Sequence, residues 1–140
     1  MKSLKVVIDT NVIFSGLLSQ KGSSYKLLKL IPRNIFTVVL SVPLVLEYES
    51  ILSKNLKKLN LTKSDIDDFL DYLCSISEHS LIYYLWRPIL KDPYDDHILE
   101  LAFASNSKYI ITYNISDFKE TDKFGIITIT PDQFLLKLRG

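Results

Sequence analysis

Short runs of β-branched residues alternate along this chain with segments of helical periodicity, and that alternation leaves few folds open. Leu4–Ile8 is an apolar run ending in Val-Val-Ile, which reads as a strand buried on both faces. Phe36–Leu40 reads the same way, as do residues 108–112 and 126–129. Residues 80–85 are a further strand candidate with fewer β-branched positions. Between these runs the spacing lengthens. Leu44, Tyr48, Ile51 and Leu52 follow Pro43, a residue suited to a first helical turn. Ile66, Phe69, Leu70 and Leu73 follow Thr62, a candidate N-cap. Ile98, Leu99, Leu101, Ala102 and Phe103 make a third, largely apolar helix introduced by Asp92-Pro93. Strand and helix in alternation predict an α/β fold with an open parallel sheet covered by helices on both faces.

A chain of 140 residues suits one domain spanning residues 1–140, and 47% hydrophobic residues suffice for a real core. The lone Cys74 cannot form an intramolecular disulfide and fits a reducing cytoplasmic setting. No apolar run approaches the ~20 residues of a membrane span, so no membrane partner is expected. Lys and Arg number 17 against 16 Asp and Glu, a formal net charge of +1. A nucleic-acid partner would therefore need a local patch or a metal, because no globally basic surface exists to attract it.

Acids cluster where the expected strands end. Asp9 closes the first strand, followed by Thr10 and Asn11. A carboxylate emerging from a buried strand needs a partner, although Asp, Thr and Asn also cap helices. Glu47 lies three residues after Leu44 and four before Ile51, on or beside the apolar stripe, whereas Glu49 turns toward solvent. The structural alternative for Glu47 is a snorkelling side chain or a pair with Arg33 or Arg87. Asp92-Pro93-Tyr94-Asp95-Asp96 precedes the apolar helix; Asp92 reads as a cap, yet three Asp in five residues exceed what a cap requires. Thr112-Tyr113-Asn114-Ile115-Ser116-Asp117 follows another strand, and loop capping alone would explain Asn114 and Asp117. Taken together, four segments deliver acids or amides, at least three of them at the same edge of one sheet. Gathered carboxylates repel one another and imply a cation, and oxygen donors without Cys or His point to Mg²⁺ or Mn²⁺ rather than Zn²⁺.

This ordered set resembles the PIN-domain family, in particular its small prokaryotic branch that includes ribonuclease toxins of VapC type. The resemblance runs from Val6 to about Ile129. It implies a parallel five-stranded sheet and a Mg²⁺- or Mn²⁺-dependent endoribonuclease that cuts single-stranded RNA. It further implies a small antitoxin protein as partner and association into a homodimer. By position, Asp9, Glu47, Asp96 and Asp117 match the metal-binding, catalytic acids, Asp96 being placed by the sixteen positions separating it from Thr112. Thr10, Asn11, Asp95, Thr112 and Asn114 match supporting positions, and Asp95 is an adjacent acid able to substitute. Many members carry Asp where this chain has Asn114, which leaves the number of metals at one or two. Glu47 or Asp96 would also take a proton from the attacking water.

Other signals weigh less. Lys54, Lys57, Lys58 and Lys63 form a basic run that reads equally as an RNA track or a solvated face. Arg87 and Lys91 precede the third acid group and are RNA-binding candidates. Tyr83, Tyr84 and Trp86 suit base stacking or a strand core. His79 and His97 read as incidental, and Cys74 as packing. No glycine-rich phosphate loop is present. An inactive RNA-binding module of the same fold is the main alternative, motivated by Asn114. A Mg²⁺-dependent phosphatase is disfavoured, because no second Asp follows Asp9 by two positions.

Overall fold

In a computed structural model that describes residues 4–80, 93–118 and 121–139, with the backbone alone for residues 93–96, the β-branched runs pair into one parallel sheet. Its strands are β1 (Leu4–Ile8), β2 (Phe36–Leu40), β3 (Glu78–His79), β4 (Tyr109–Ile111) and β5 (Ile127–Ile129), in the spatial order β3-β2-β1-β4-β5. The helices are α1 (Thr10–Leu18), α2 (Ser23–Leu30), α3 (Val42–Ser53), α4 (Leu56–Leu59), α5 (Lys63–Ile76), α6 (Pro93–Ala104) and α7 (Pro131–Arg139). The five-stranded parallel α/β expectation holds. β4 and β5 are each shorter than the apolar runs that encode them. The described part of the third strand is Glu78–His79, where Val39 and Leu40 offer register partners; of the candidate over residues 80–85, Ser80 follows that strand and residues 81–85 lie outside the described residues. Among the described residues, no helix is long and apolar enough to cross a membrane.

Burial follows the sequence pattern closely. Val6, Val7 and Ile8 are fully buried, as are Val39, Leu40, Ile110 and Ile111. Phe134 of α7 closes one face by meeting Phe36 and Tyr109 edge-on, with ring centroids 5.2 and 5.5 Å away. On α3, Leu44, Tyr48 and Leu52 face the core, while Ile51 is turned outward. Thr62 caps α5 in a reciprocal box with Asp65, as its position before the apolar stripe suggests.

The chain visits β1, then β2 and β3 on one side, then β4 and β5 on the other. The strand order therefore reverses between β1 and β4, and their carboxyl ends open onto a crevice there. Tyr48 ties α3 to this point: its buried hydroxyl donates to the carbonyl of Ile8, the last residue of β1. Burial, with the nearby charges of Asp9 and Glu47, pushes the phenol pKa well up, so it remains a donor. Tyr48→Phe strands that buried carbonyl. An expected loss of about 1–3 kcal/mol follows, measurable by urea unfolding.

Candidate functional site

The register Ile8↔Ile111 carries β1 and β4 side by side into the crevice, and the next residue on each strand is polar. Asp9 N donates to Ile111 O at 2.9 Å, so Asp9 and Thr112 leave the sheet as neighbours. Thr112 Oγ1 then donates to Asp9 Oδ2 at 2.7 Å, and Thr10 N donates to Asp9 Oδ1 at 2.8 Å. Asp9 is thus the N-cap of α1, but not of the usual kind. Its carboxylate accepts from the first helical N–H rather than the second or third, and its other oxygen is held from across the sheet. Only 7% of Asp9 is exposed. That burial raises its pKa; the bonds from Thr112 and Thr10 oppose the shift, and the nearby Glu47 charge adds to it.

Glu47 reaches the same place from α3. Thr10 serves both acids, since its backbone N–H holds Asp9 and its hydroxyl donates to Glu47 Oε2. The other Glu47 oxygen lies 3.1 Å from His97 Nε2 on α6. Burial works to raise the Glu47 pKa, but the hydrogen bonds from His97 and Thr10 outweigh it, and the net shift is downward. An ionised Glu47 only accepts, so His97 Nε2 must carry the hydrogen. The expectation that His97 is incidental is therefore corrected, and among the described residues Glu47 is held by Thr10 and His97 and not by Arg33. No local pattern could reveal this pair, which joins residues fifty positions apart.

Asn11 and Asn114 brace the rim. Asn11 Oδ1 accepts from Tyr113 N at 3.3 Å, and Thr112 Oγ1 accepts from Asn114 N at 3.0 Å. Asp117 N donates to Asn114 O at 3.0 Å, which brings Asp117 back toward the strand end. Asp9, Thr10, Asn11, Glu47, His97, Asn114 and Asp117 all line one open cleft of about 930 Å³. Asp95 and Asp96 lie in the first turn of α6, and their side chains lie outside the described residues. Arg87, Lys91, Asp92, Tyr83, Tyr84 and Trp86 also lie outside them. Cys74 is half-buried, and burial followed by the Asp71 charge raises its thiol pKa, as suits a packing residue rather than a nucleophile.

The donor chemistry suits a hard divalent cation. Asp9 is a buried carboxylate beside a second carboxylate, and among the described residues neither acid pairs with Lys or Arg. Oxygens of Asp9, Glu47, Asp117 and Asn114 share the cleft, with no thiol among them. Among the described residues, no three acidic, His or Cys side chains already form a metal cage.

An acid-lined crevice at the switch point of a parallel sheet defines a class of α/β protein built to act on a ligand at its strand ends. A family model described as PIN domain matches residues 5–116. The chain belongs to the PIN-domain family, whose members are nucleases. It is similar in fold to VapBC2 from Rickettsia felis, solved bound to a DNA fragment from its promoter, at 21% identity and a TM-score of 0.61. That match covers 90% of this chain and 98% of the other. It is also similar in fold to PAE2754 from Pyrobaculum aerophilum, at 14% identity and a TM-score of 0.56, covering 97% of this chain and 90% of that one. Among proteins with curated functions, none matches the chain by sequence.

Proposed function

We propose that this chain is a Mg²⁺- or Mn²⁺-dependent endoribonuclease that cuts single-stranded RNA, acting as the toxin of a toxin–antitoxin pair. The observation that carries this reading is the meeting of Asp9 and Glu47 through Thr10 at the β1–β4 crevice, with Asp117 lining the same cleft. Asp9, Glu47, Asp96 and Asp117 are the residues that would hold the metal. When bound, the cation would supply Lewis-acid polarisation of the phosphodiester and an acidified water.

The residues around it have separable tasks. Thr10 and Thr112 fix the Asp9 carboxylate in the crevice, so little reorganisation is needed when substrate arrives. His97 and Thr10 keep Glu47 ionised, which preserves it as a negatively charged oxygen donor in the cleft. Asn114, in place of a carboxylate, lowers the negative charge that the cleft must have compensated. The toxin role draws support from family membership and from a fold shared with the VapBC2 assembly. It brings with it a small antitoxin protein as partner, a homodimer, a cytoplasmic location, and one nuclease domain over residues 1–140.

The test is cleavage of a single-stranded RNA with Mg²⁺ or Mn²⁺ and in EDTA. Metal-dependent internal cuts are expected, with a duplex of the same sequence spared. Binding without turnover would instead mark an inactive RNA-binding module, and cleavage that persists in EDTA would overturn the metal requirement.

A further inference from the structure

We propose that Lys54 and Lys58 form a phosphate track that delivers a single strand to the acid-lined crevice, a role that rests on the nuclease reading above. Both lysines line the same cleft as Asp9 and Glu47, Lys54 at the joint between α3 and α4 and Lys58 on α4 itself. That joint is anchored. Asn55 Nδ2 donates to Ile51 O at 2.7 Å, Lys54 N donates to Ser50 O at 3.2 Å, and Leu59 is buried beneath α4. The other two lysines of the run behave differently. Lys63 is engaged by Glu49 at 3.1 Å and Asp67 at 2.9 Å, and Lys57 does not line the cleft.

Among the described residues, neither Lys54 nor Lys58 has an ion-pair partner, although they share a cleft with carboxylates. Cations placed this way do not neutralise the acids. They offset the repulsion that a polyanion meets on approaching Asp9, Glu47 and Asp117, which a net charge of +1 cannot do. Apolar side chains line the cleft as well: Phe14, Pro43, Leu46 and Ile51 contribute to it, and Leu46 is 58% exposed. Unstacked bases have a surface to rest on there, whereas paired bases inside a duplex present only their backbone. Cations for phosphates and apolar side chains for bases, gathered in one cleft, suit a single strand.

The experiment measures binding of a fluorescein-labelled oligoribonucleotide of about ten nucleotides, kept intact in EDTA, across a salt series. For Lys54→Ala/Lys58→Ala, the slope of log affinity against log salt should become shallower by about 1.4, at about 0.7 for each phosphate that is no longer neutralised. Affinity at low salt should fall about tenfold, and Arg at both positions should restore it. The control Lys57→Ala/Lys137→Ala removes the same charge away from the cleft and should keep the parental slope. In Mg²⁺ the Lys54/Lys58 variant should lose cleavage efficiency through KM. Equal slopes for the two doubly substituted proteins would overturn the track while leaving the nuclease reading intact. A parent protein that neither binds nor cuts the strand would overturn both.

Discussion

Asp9→Asn is expected to lower RNA cleavage at least ~100-fold, on the scale of losing one key group from a preorganised electrostatic site, while the metal-free protein stays as stable as the parent or becomes more so. Asn is as good an N-cap as Asp, and its carbonyl oxygen can still accept from Thr10 N. The substitution therefore separates capping from chemistry. If Asp9 serves only α1, the variant remains an active nuclease. If it is a ligand, activity is lost although the helix is intact.

The stability half of this prediction has a definite sign. The Asp9 pKa is raised above its unfolded value of 3.8, so the native state binds the proton more tightly than the unfolded chain does. Its favourable contribution is fully present below that unfolded value and is lost as pH rises through the folded one. Ionised Asp9 thus weighs against folding near neutrality, and Asn removes that penalty. Glu47 has the opposite sign. Its pKa is lowered from 4.5, so its contribution is present above that value and is lost as pH falls through the folded pKa. Urea unfolding of parent and Asp9→Asn over an acid-to-neutral series should show curves that diverge in favour of the variant as pH rises above 3.8. Saturating Mn²⁺ should reverse the order, since ligand at 100 times Kd adds about 2.7 kcal/mol to a protein that binds it. A variant that is destabilised and still cuts RNA would leave Asp9 with a structural role alone.

What was legible in the sequence was local. β1 and β2 end in Val-Val-Ile and Val-Val-Leu with no polar interruption there, and they match their expected bounds residue for residue. Glu47 stood out because it sits beside Leu44 and Tyr48 on a stripe that packs inward, and the crevice explains why an acid belongs there. Long-range pairing was illegible. The bond from His97 to Glu47 joins α6 to α3 through the tertiary fold alone, and the short β3 owes its place to the end of β2 rather than to its own Glu-His composition. The lysine run shows the same limit. Sequence presents four similar cations, and only the fold reveals that Glu49 and Asp67 hold Lys63 while Lys54 and Lys58 line the cleft.

Asp96→Asn carries the second large effect, and it tests the part of the site that comes from α6. The backbone places Asp96 in the first turn of that helix, one residue before the histidine that grips Glu47. Acids in a first turn also favour the helix dipole, which gives the structural alternative a real basis. The two readings predict opposite outcomes. As a metal ligand among like charges, Asp96 is strained when no cation is bound; the Asn variant should melt at the same temperature or higher in EDTA. It should gain less from Mn²⁺ than the parent and lose at least ~100-fold in cleavage. As a dipole or capping residue, Asp96 would instead be missed with and without metal, and cleavage would stay near normal. Asp95→Asn is the matched control, removing the same charge one position earlier in the same turn. Should Asp95→Asn abolish cleavage and Asp96→Asn spare it, the third acid of the site is Asp95, and the spacing to Thr112 must be recounted by one. Thermal melts of both variants in EDTA and in Mn²⁺, beside one RNA cleavage assay, decide between a ligand at the start of α6 and a helix terminus that happens to be acidic.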